Sequence, residues 1–203
     1  MPGCSSTTLI QLFARPPLEG RVKTRLIPDI GARSATAIYQ HCLQRNIELI
    51  RNCAFDYQIW LSEPSSHPLF KDEPVKLQHG DSLGERMLHA LSSALNDGYT
   101  KTLLIGSDCI EITHPLLQRV CAKLDPHELV FIPAIDGGYV LIAARRSIHS
   151  ELFNDIDWST DRVLRQTLEK AMQLGIPTAL LNPLRDIDTV ADLQHYSELK
   201  QYL

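Results

Sequence analysis

The apolar run Leu103-Leu104-Ile105 passes directly into Gly106-Ser107-Asp108, and this stretch indicates the fold class. A fully apolar run is typical of a strand that is buried on both faces of a parallel sheet. Ligands of open α/β sheets bind beyond the carboxyl ends of such strands, which is where Asp108 falls. Asp108 is therefore a candidate site residue, although an aspartate that only begins a turn fits the same pattern.

Strand and helix patterns alternate on both sides of this run. The sequence predicts strands near residues 9–13, 55–61, 75–77, 102–105, 129–132, 139–143 and 178–181, and helices near residues 33–52, 83–95, 114–124 and 159–174. Predicted helix ends are Gly98 as a left-handed cap, Thr113 and Ser159 as N-caps, and a capping box from Thr189 to Asp192. We expect an α/β fold, a three-layer α/β/α sandwich with a mostly parallel, Rossmann-like sheet.

Composition limits the class of protein. The 203 residues suit a single domain over 1–203, and the net charge of -4 argues against nucleic-acid partners and anionic membrane surfaces. No run is long enough for a membrane span, and residues 1–8 lack the pattern of a signal peptide. Five widely spaced cysteines indicate neither a disulfide framework nor a zinc site, so we expect a cytoplasmic location.

A basic loop stands out in this acidic chain. Four cations fall within residues 15–25, namely Arg15, Arg21, Lys23 and Arg25. Such a local excess suits a diphosphate, because charge-assisted bonds would orient it while Gly20 allows close backbone approach. The alternative is a solvated surface loop. The loop lacks the glycine spacing of a Walker A motif.

A late Asp186-Ile187-Asp188-Thr189 supplies a second carboxylate. Mg²⁺ or Mn²⁺ is commonly held by one or two protein carboxylates together with substrate phosphates, so Asp108 and Asp188 are the predicted metal ligands. The alternative is that Asp186 and Asp188 only favour the start of the following helix through its dipole.

Three further motifs carry polar groups at predicted turns. Asp136-Gly137-Gly138-Tyr139 follows a strand and suits contact with a ligand hydroxyl, or else a tight hairpin. Residues 80–87 place Gly84 and Arg86 at a helix N-terminus, where a phosphate or a base would bind, or where a solvated first turn would suffice. Trp158-Ser159-Thr160 offers hydroxyls to an acceptor, although capping alone explains Ser159.

In this order, the motifs resemble the nucleotide-diphospho-sugar transferases of the glycosyltransferase-A fold, and within them a small bacterial branch. The matching segments are residues 13–26, 83–87, 106–109, 136–139, 158–160 and 186–189. The resemblance implies that Arg15, Gly20, Lys23 and Arg25 hold the nucleotide phosphates and that Asp108 and Asp188 bind the metal. It also implies that residues 136–139 face the sugar or the acceptor.

The expected activity is metal-dependent glycosyl transfer from a nucleotide-diphosphate sugar to a small-molecule acceptor, with Mg²⁺ or Mn²⁺ as cofactor. One alternative is a nucleotidyltransferase that joins a nucleoside triphosphate to a phosphorylated acceptor and releases pyrophosphate. The other is a nucleotide-sensing module without catalysis. The predicted residues are, for catalysis, Asp108, Lys23 and Asp136; for the nucleotide, Arg15, Gly20, Lys23, Arg25, Gly84, Arg86 and Ser107; and for the acceptor, Asp136, Gly137, Gly138, Tyr139, Trp158 and Ser159.

Overall fold

The chain forms one seven-stranded sheet between two layers of helices, as a computed structural model that describes residues 7–202 shows. Cys4 and most of the segment 1–8 lie outside the described residues. The strands are β1 (Thr8–Ala14), β2 (Asp56–Leu61), β3 (Val75–Leu77), β4 (Lys101–Gly106), β5 (Leu129–Pro133), β6 (Tyr139–Arg145) and β7 (Thr178–Leu180). The helices are α1 (Ile27–Arg51), α2 (Leu83–Asn96), α3 (His114–Lys123), α4 (Val163–Gln173) and α5 (Val190–Leu193). Short 3₁₀ helices cover Pro68–Phe70, Ser150–Phe153 and Ser197–Tyr202.

The strand order is β3-β2-β1-β4-β6-β5-β7, and only β6 runs antiparallel to its neighbours. The expected mostly parallel α/β sandwich is therefore confirmed. Because β1, β4, β5 and β7 point the same way, the segments that follow them meet at one edge of the sheet. Every residue of β1 is buried, as is the centre of β4, which accounts for their apolar runs.

Each face of the sheet packs against its own helices. Helices α1 and α3 cover one face through residues such as Leu43 and Leu117. Helices α2 and α4 cover the other face through residues such as Leu91 and Ala171. A third cluster joins the start of α1 to the C-terminal segment, with Ile187 and Leu199 fully buried. Within residues 7–202, no helix combines the length and the apolarity that crossing a bilayer requires.

Most predicted helix ends are confirmed. Gly98 has φ of 96° after α2, and its N–H and that of Tyr99 bond back to Leu95 and Ala94 as in a Schellman motif. Thr113 caps α3, and Asp192 accepts the Thr189 N–H at 2.8 Å in the predicted capping box.

The predicted N-cap at Ser159 is wrong. Helix α4 begins only at Val163, and Ser159 has φ of 65°, whereas an N-cap residue is extended. The side chain of Thr160 instead closes a separate turn, because its Oγ1 donates to the Asp157 carbonyl at 2.7 Å. The sequence pattern therefore placed a capped helix start where the chain makes a turn.

Helix α1 also begins earlier than expected. Pro28 lies in its first turn, and Gly31 breaks the helical geometry with φ of 78° and ψ of 160°. The regular part of the helix therefore starts after Gly31, close to the predicted residue 33.

Candidate active site

The basic loop and two acidic segments converge at the carboxyl edge of the sheet. The Lys23 Nζ lies 2.8 Å from Asp108 Oδ1 and 3.1 Å from Asp188 Oδ1. Residues 23 and 188 are far apart in the sequence, but the parallel strands β1, β4 and β7 bring their loops to one edge. The Lys23 ammonium therefore joins the two carboxylates that were predicted as metal ligands.

The Lys23 side chain is only 3% exposed, while those of Asp108 and Asp188 are 41% and 33% exposed. Burial by itself lowers the pKa of Lys23, but the Asp108 and Asp188 carboxylates outweigh burial and raise that pKa above its ordinary value. The ammonium therefore stays charged. The backbone of Lys23 has φ of 48°, an uncommon conformation for a residue with a side chain.

Asp188 also receives a second cation. Arg25 Nη1 lies 3.3 Å from Asp188 Oδ2, and the Arg25 side chain is largely exposed. Arg21 extends away from this pair to Glu63, at 3.5 Å. Arg15 is exposed at the start of the same loop, and Gly20 has φ of 78° with open space around its Cα. The loop therefore presents accessible cations beside a fixed, buried one.

Helix α1 holds both the basic loop and the loop that carries Asp108. The Tyr39 hydroxyl accepts the Arg15 N–H at 2.8 Å, donates to the Arg15 carbonyl at 3.0 Å and lies 3.2 Å from the Ser107 Oγ. Burial and the Asp108 carboxylate raise the pKa of Tyr39 to about 12, so this hydroxyl stays protonated. The buried Asn46 Nδ2 donates to the carbonyls of Ser107 and Cys109 at 3.1 Å each.

A cluster of three carboxylates lies beside the Lys23 pair. Asp136, Asp186 and Asp188 each offer an oxygen within 4.8 Å of the other two. Burial, then Asp136 and Asp188, raise the pKa of Asp186 to about 6, because ionised neighbours disfavour a further negative charge. Carboxylate oxygens are the ligands that Mg²⁺ and Mn²⁺ prefer, and a cation would relieve this repulsion. The donor set therefore fits a hard divalent cation.

Asp108 is not a member of this acidic cluster, but Lys23 connects it to Asp188. Its buried Oδ1 forms the ion pair with the Lys23 ammonium at 2.8 Å. Its carbonyl accepts the Ile187 N–H at 3.1 Å, which fixes the loop after β4 against residues 186–188. Asp188 is therefore the residue that the cationic pair and the acidic cluster share.

The Asp136-Gly137-Gly138-Tyr139 segment forms a tight turn between β5 and β6, which the sequence left open as an alternative. Asp136 Oδ1 accepts the Gly138 N–H at 3.0 Å. Gly137 has φ of 97°, and a Cβ there would lie 2.2 Å from the Asp161 carbonyl oxygen. The Tyr139 ring packs inward against Phe131, with a centroid distance of 5.2 Å. Of these residues, only Asp136 reaches the acidic cluster.

Gly84 is enclosed by packing at the start of α2. A Cβ on Gly84 would lie 2.6 Å from the Trp158 ring, and Trp158 in turn stacks on Phe153. The Ser82 hydroxyl caps the helix by accepting the Glu85 N–H at 3.2 Å, and Arg86 Nε donates to the Gly80 carbonyl at 2.9 Å. Close packing therefore accounts for the Gly84–Trp158 pair.

The structure thus brings some of the predicted site residues together and leaves others in packing contacts or turns. Lys23, Arg25, Asp108, Asp136 and Asp188 meet in one place. Ser107 is buried against Tyr39, and Gly84, Tyr139 and Trp158 are occupied by packing. Ser159 is exposed in a turn before α4, and Gly138 supports the Asp136 turn.

Three residues of this site were not predicted from the sequence, namely Asp186, Tyr39 and Asn46. The pattern around Asp186 indicates only a helix start. Asp186 lies two residues before Asp188, and this spacing was the available signal that both carboxylates belong to one cluster. Tyr39 and Asn46 follow the apolar stripe of α1, which predicts only a helix that covers the sheet. A buried asparagine in such a stripe was the available signal, since a buried amide needs partners.

Comparisons with solved structures support this fold. A Desulfovibrio desulfuricans G20 protein described as a "putative nucleotide-diphospho-sugar transferase" is 29% identical, with a TM-score of 0.86 over 97% of this chain and 98% of that one. The predicted resemblance, and with it the transferase class, is confirmed by this structure.

More distant structures share the fold alone. The 2-C-methyl-D-erythritol 4-phosphate cytidylyltransferase of Thermus thermophilus is 15% identical, with a TM-score of 0.58 over 97% of this chain and 99% of that one. A CMP:2-keto-3-deoxy-manno-octonic acid synthetase complexed with CTP is 12% identical, with a TM-score of 0.59 over 98% and 100% of the two chains. No curated protein matches this sequence significantly.

A family of bacterial proteins matches the chain over residues 46–160, which is more than half of its length. This segment contains β4, the loop with Asp108, and the turn with Asp136. The chain belongs to this family, which is described as "Uncharacterized protein conserved in bacteria (DUF2064)".

Proposed function

We propose that this protein is a metal-dependent glycosyltransferase that uses a nucleotide-diphosphate sugar as donor. One observation carries the proposal: the buried Lys23 ammonium lies between Asp108 and Asp188 at the carboxyl edge of the sheet, beside the acidic cluster. This edge is where open α/β sheets bind nucleotides. The neighbour that is 29% identical is described as a transferase of nucleotide-diphospho-sugars.

The basic loop would hold the diphosphate of the donor. Arg15 and Arg25 are exposed, and Arg25 would exchange its contact with Asp188 for phosphate oxygens, whereas Lys23 is fixed by its two carboxylates. Charge-assisted bonds of this kind contribute about 1.5–3 kcal/mol each. Their task in catalysis is to stabilise the negative charge that grows on the leaving nucleoside diphosphate.

Asp188 would bind the Mg²⁺ or Mn²⁺ ion, with Asp186 and Asp136 from the acidic cluster or with Asp108 as the sequence predicted. A bound divalent ion would supply Lewis-acid neutralisation of the diphosphate. Replacing Asp188 with Ala should abolish Mn²⁺ binding in either arrangement. Comparing Asp108→Ala with Asp186→Ala then decides which carboxylate is the partner.

The acceptor would approach from the side of the Asp136 turn. Where Asp188 and Asp108 hold the ion, the exposed Asp136 stays uncoordinated beside it, and we assign Asp136 as the general base for an acceptor hydroxyl. Gly137 and Gly138 would position it, since their turn is held against Asp161. The exposed Ser159 and the neighbouring Trp158 would complete the acceptor side, while Tyr139 would support it from within the core.

A second candidate is nucleotidyl transfer. The loop cations Arg15, Lys23 and Arg25, together with a bound divalent ion, would hold a triphosphate as well as a diphosphate. Two of the structures that share the fold are a cytidylyltransferase and a synthetase complexed with CTP. In this reaction, pyrophosphate would leave while a phosphorylated acceptor attacks.

One experiment separates these functions. The protein is incubated with Mn²⁺, with each nucleoside triphosphate or nucleotide sugar, and with a panel of acceptors. Release of a nucleoside diphosphate supports glycosyl transfer, and release of pyrophosphate supports nucleotidyl transfer. Tight nucleotide binding without any product supports a nucleotide sensor instead. Full turnover by Asp188→Ala contradicts both enzymatic proposals.

We retain a cytoplasmic location as part of this proposal. The four cysteines within residues 7–202 are free thiols, and such cysteines persist in reducing compartments.

A further inference from the structure

Helix α4 carries an apolar row that the rest of the described chain leaves partly uncovered. Leu164, Leu168 and Met172 follow one another at intervals of four residues, so they lie along one side of the helix. The Met172 side chain reaches 76% exposure, and the row lines a shallow groove of about 400 Å³. Contiguous apolar surface of this kind marks interaction sites in soluble proteins.

Two further exposed apolar side chains lie beyond the helix. Leu174, just past α4, and Leu180, on β7, are 39% and 50% exposed. Leu180 pairs with Phe131 of β5, and the Phe131 cluster is the one against which Leu164 and Leu168 pack. The sheet ends at β7, so no further strand within residues 7–202 covers this corner.

Two charges of opposite sign flank the row. Arg165 and Glu169 are exposed, line the same groove, and lie one helical turn apart. Within residues 7–202, neither makes a salt bridge or a side-chain hydrogen bond. The row and these two charges together form what we name the α4 face.

We propose that the α4 face binds the α4 face of a second copy of this chain. A two-fold axis beside Leu168 makes the two helices antiparallel, so Leu168 meets its own counterpart and Leu164 meets the partner's Met172. The same operation brings Arg165 beside the partner's Glu169, and it does so twice per dimer. The face is thus complementary to itself in shape and in charge, which a two-fold interface requires.

The size of the face sets the expected strength. Helix α4 has 11 residues and is therefore about 16 Å long, so the interface lies at the small end of specific interfaces. We expect a reversible dimer with a dissociation constant in the micromolar range. This inference does not depend on the proposed function.

Sedimentation velocity of the full chain from about 5 to about 200 µM tests the proposal. Wild-type protein should shift from monomer to dimer across this range. Met172→Asp should weaken the dimer at least tenfold without unfolding the monomer, because Met172 is largely exposed. Leu77→Asp is the matched control: Leu77 is also partly exposed, but it lies on β3 at the opposite edge of the sheet.

A charge swap tests the orientation. Arg165→Glu and Glu169→Arg should each weaken the dimer about three- to tenfold, since each exposed pair occurs twice and becomes repulsive. The double variant should restore wild-type affinity. A monomer at all concentrations overturns the proposal, as does a double variant no tighter than the single ones. The proposal is also overturned if Leu77→Asp loses the dimer while Met172→Asp keeps it. It is likewise overturned if native mass spectra show a monomer with a small apolar molecule bound.

Discussion

Replacing Gly137 with Ala should destabilise the protein more than the same replacement at Gly84, Gly98 or Gly138. Gly137 has φ of 97°, and its new Cβ would lie 2.2 Å from the Asp161 carbonyl oxygen and 2.6 Å from the Asp161 Cα. The left-handed conformation costs about 1–2 kcal/mol for a residue with a side chain, and displacing packed backbone costs about 1–3 kcal/mol more. The free energy of unfolding should therefore fall by about 2–5 kcal/mol.

Two neighbouring tests separate these contributions. Gly98→Ala has a similar φ of 96° but nothing within 4 Å, so it should cost only the backbone term of about 1–2 kcal/mol. Gly138→Ala meets only Asp136 Oδ1 at 3.4 Å and should be nearly neutral. Urea and thermal unfolding measure all three, with a melting temperature about 5–15 °C lower for Gly137→Ala. Equal losses in Gly137→Ala and Gly98→Ala would refute the close approach of Asp161.

Three further predictions concern the site. Lys23→Met should lower the unfolding free energy by about 1–3 kcal/mol in urea titrations, because Asp108 loses its cation and Asp188 keeps only the exposed Arg25. The same variant should lose nucleotide-induced thermal stabilisation. The affinity for Mn²⁺, measured by calorimetry, should rise from about pH 5 to about pH 7, because Asp186 has a pKa of about 6 and must lose its proton to bind the ion. In Asp186→Asn, the affinity should depend less on pH. Gly84→Ala should displace the Trp158 ring, visible as changed tryptophan fluorescence, whereas an unchanged spectrum would contradict the contact.

The pKa of Asp186 also has a consequence for folding. Because the folded protein raises this pKa above its ordinary value of 3.8, the folded state binds more protons than the unfolded state between about pH 4 and pH 6. Stability without metal should therefore fall as the pH rises through this window. Asp186→Asn should lack this slope in thermal unfolding, and an identical slope in both proteins would assign it to other groups.

The sequence determined the layers of the fold and the ingredients of the site. Apolar runs such as residues 103–105 predicted the central strands, because a strand buried on both faces needs continuous apolar side chains. The capping residues Thr113 and Gly98 were predictable, since their chemistry acts within a few residues. Lys23, Asp108 and Asp188 were predicted to converge because parallel strands end at one edge.

Only the tertiary structure decided how these ingredients combine. It placed Lys23 on both carboxylates, brought Asp186 and Asp136 together with Asp188, and turned Tyr39 and Asn46 of α1 toward the site. Local sequence patterns cannot predict the distance between residues 23 and 188, because that distance depends on the order of the strands and on the path of the loops. The misplaced cap at Ser159 has the same origin: its φ of 65° belongs to a loop whose path is held by packing of Asp161 on Gly137 and of Trp158 on Gly84.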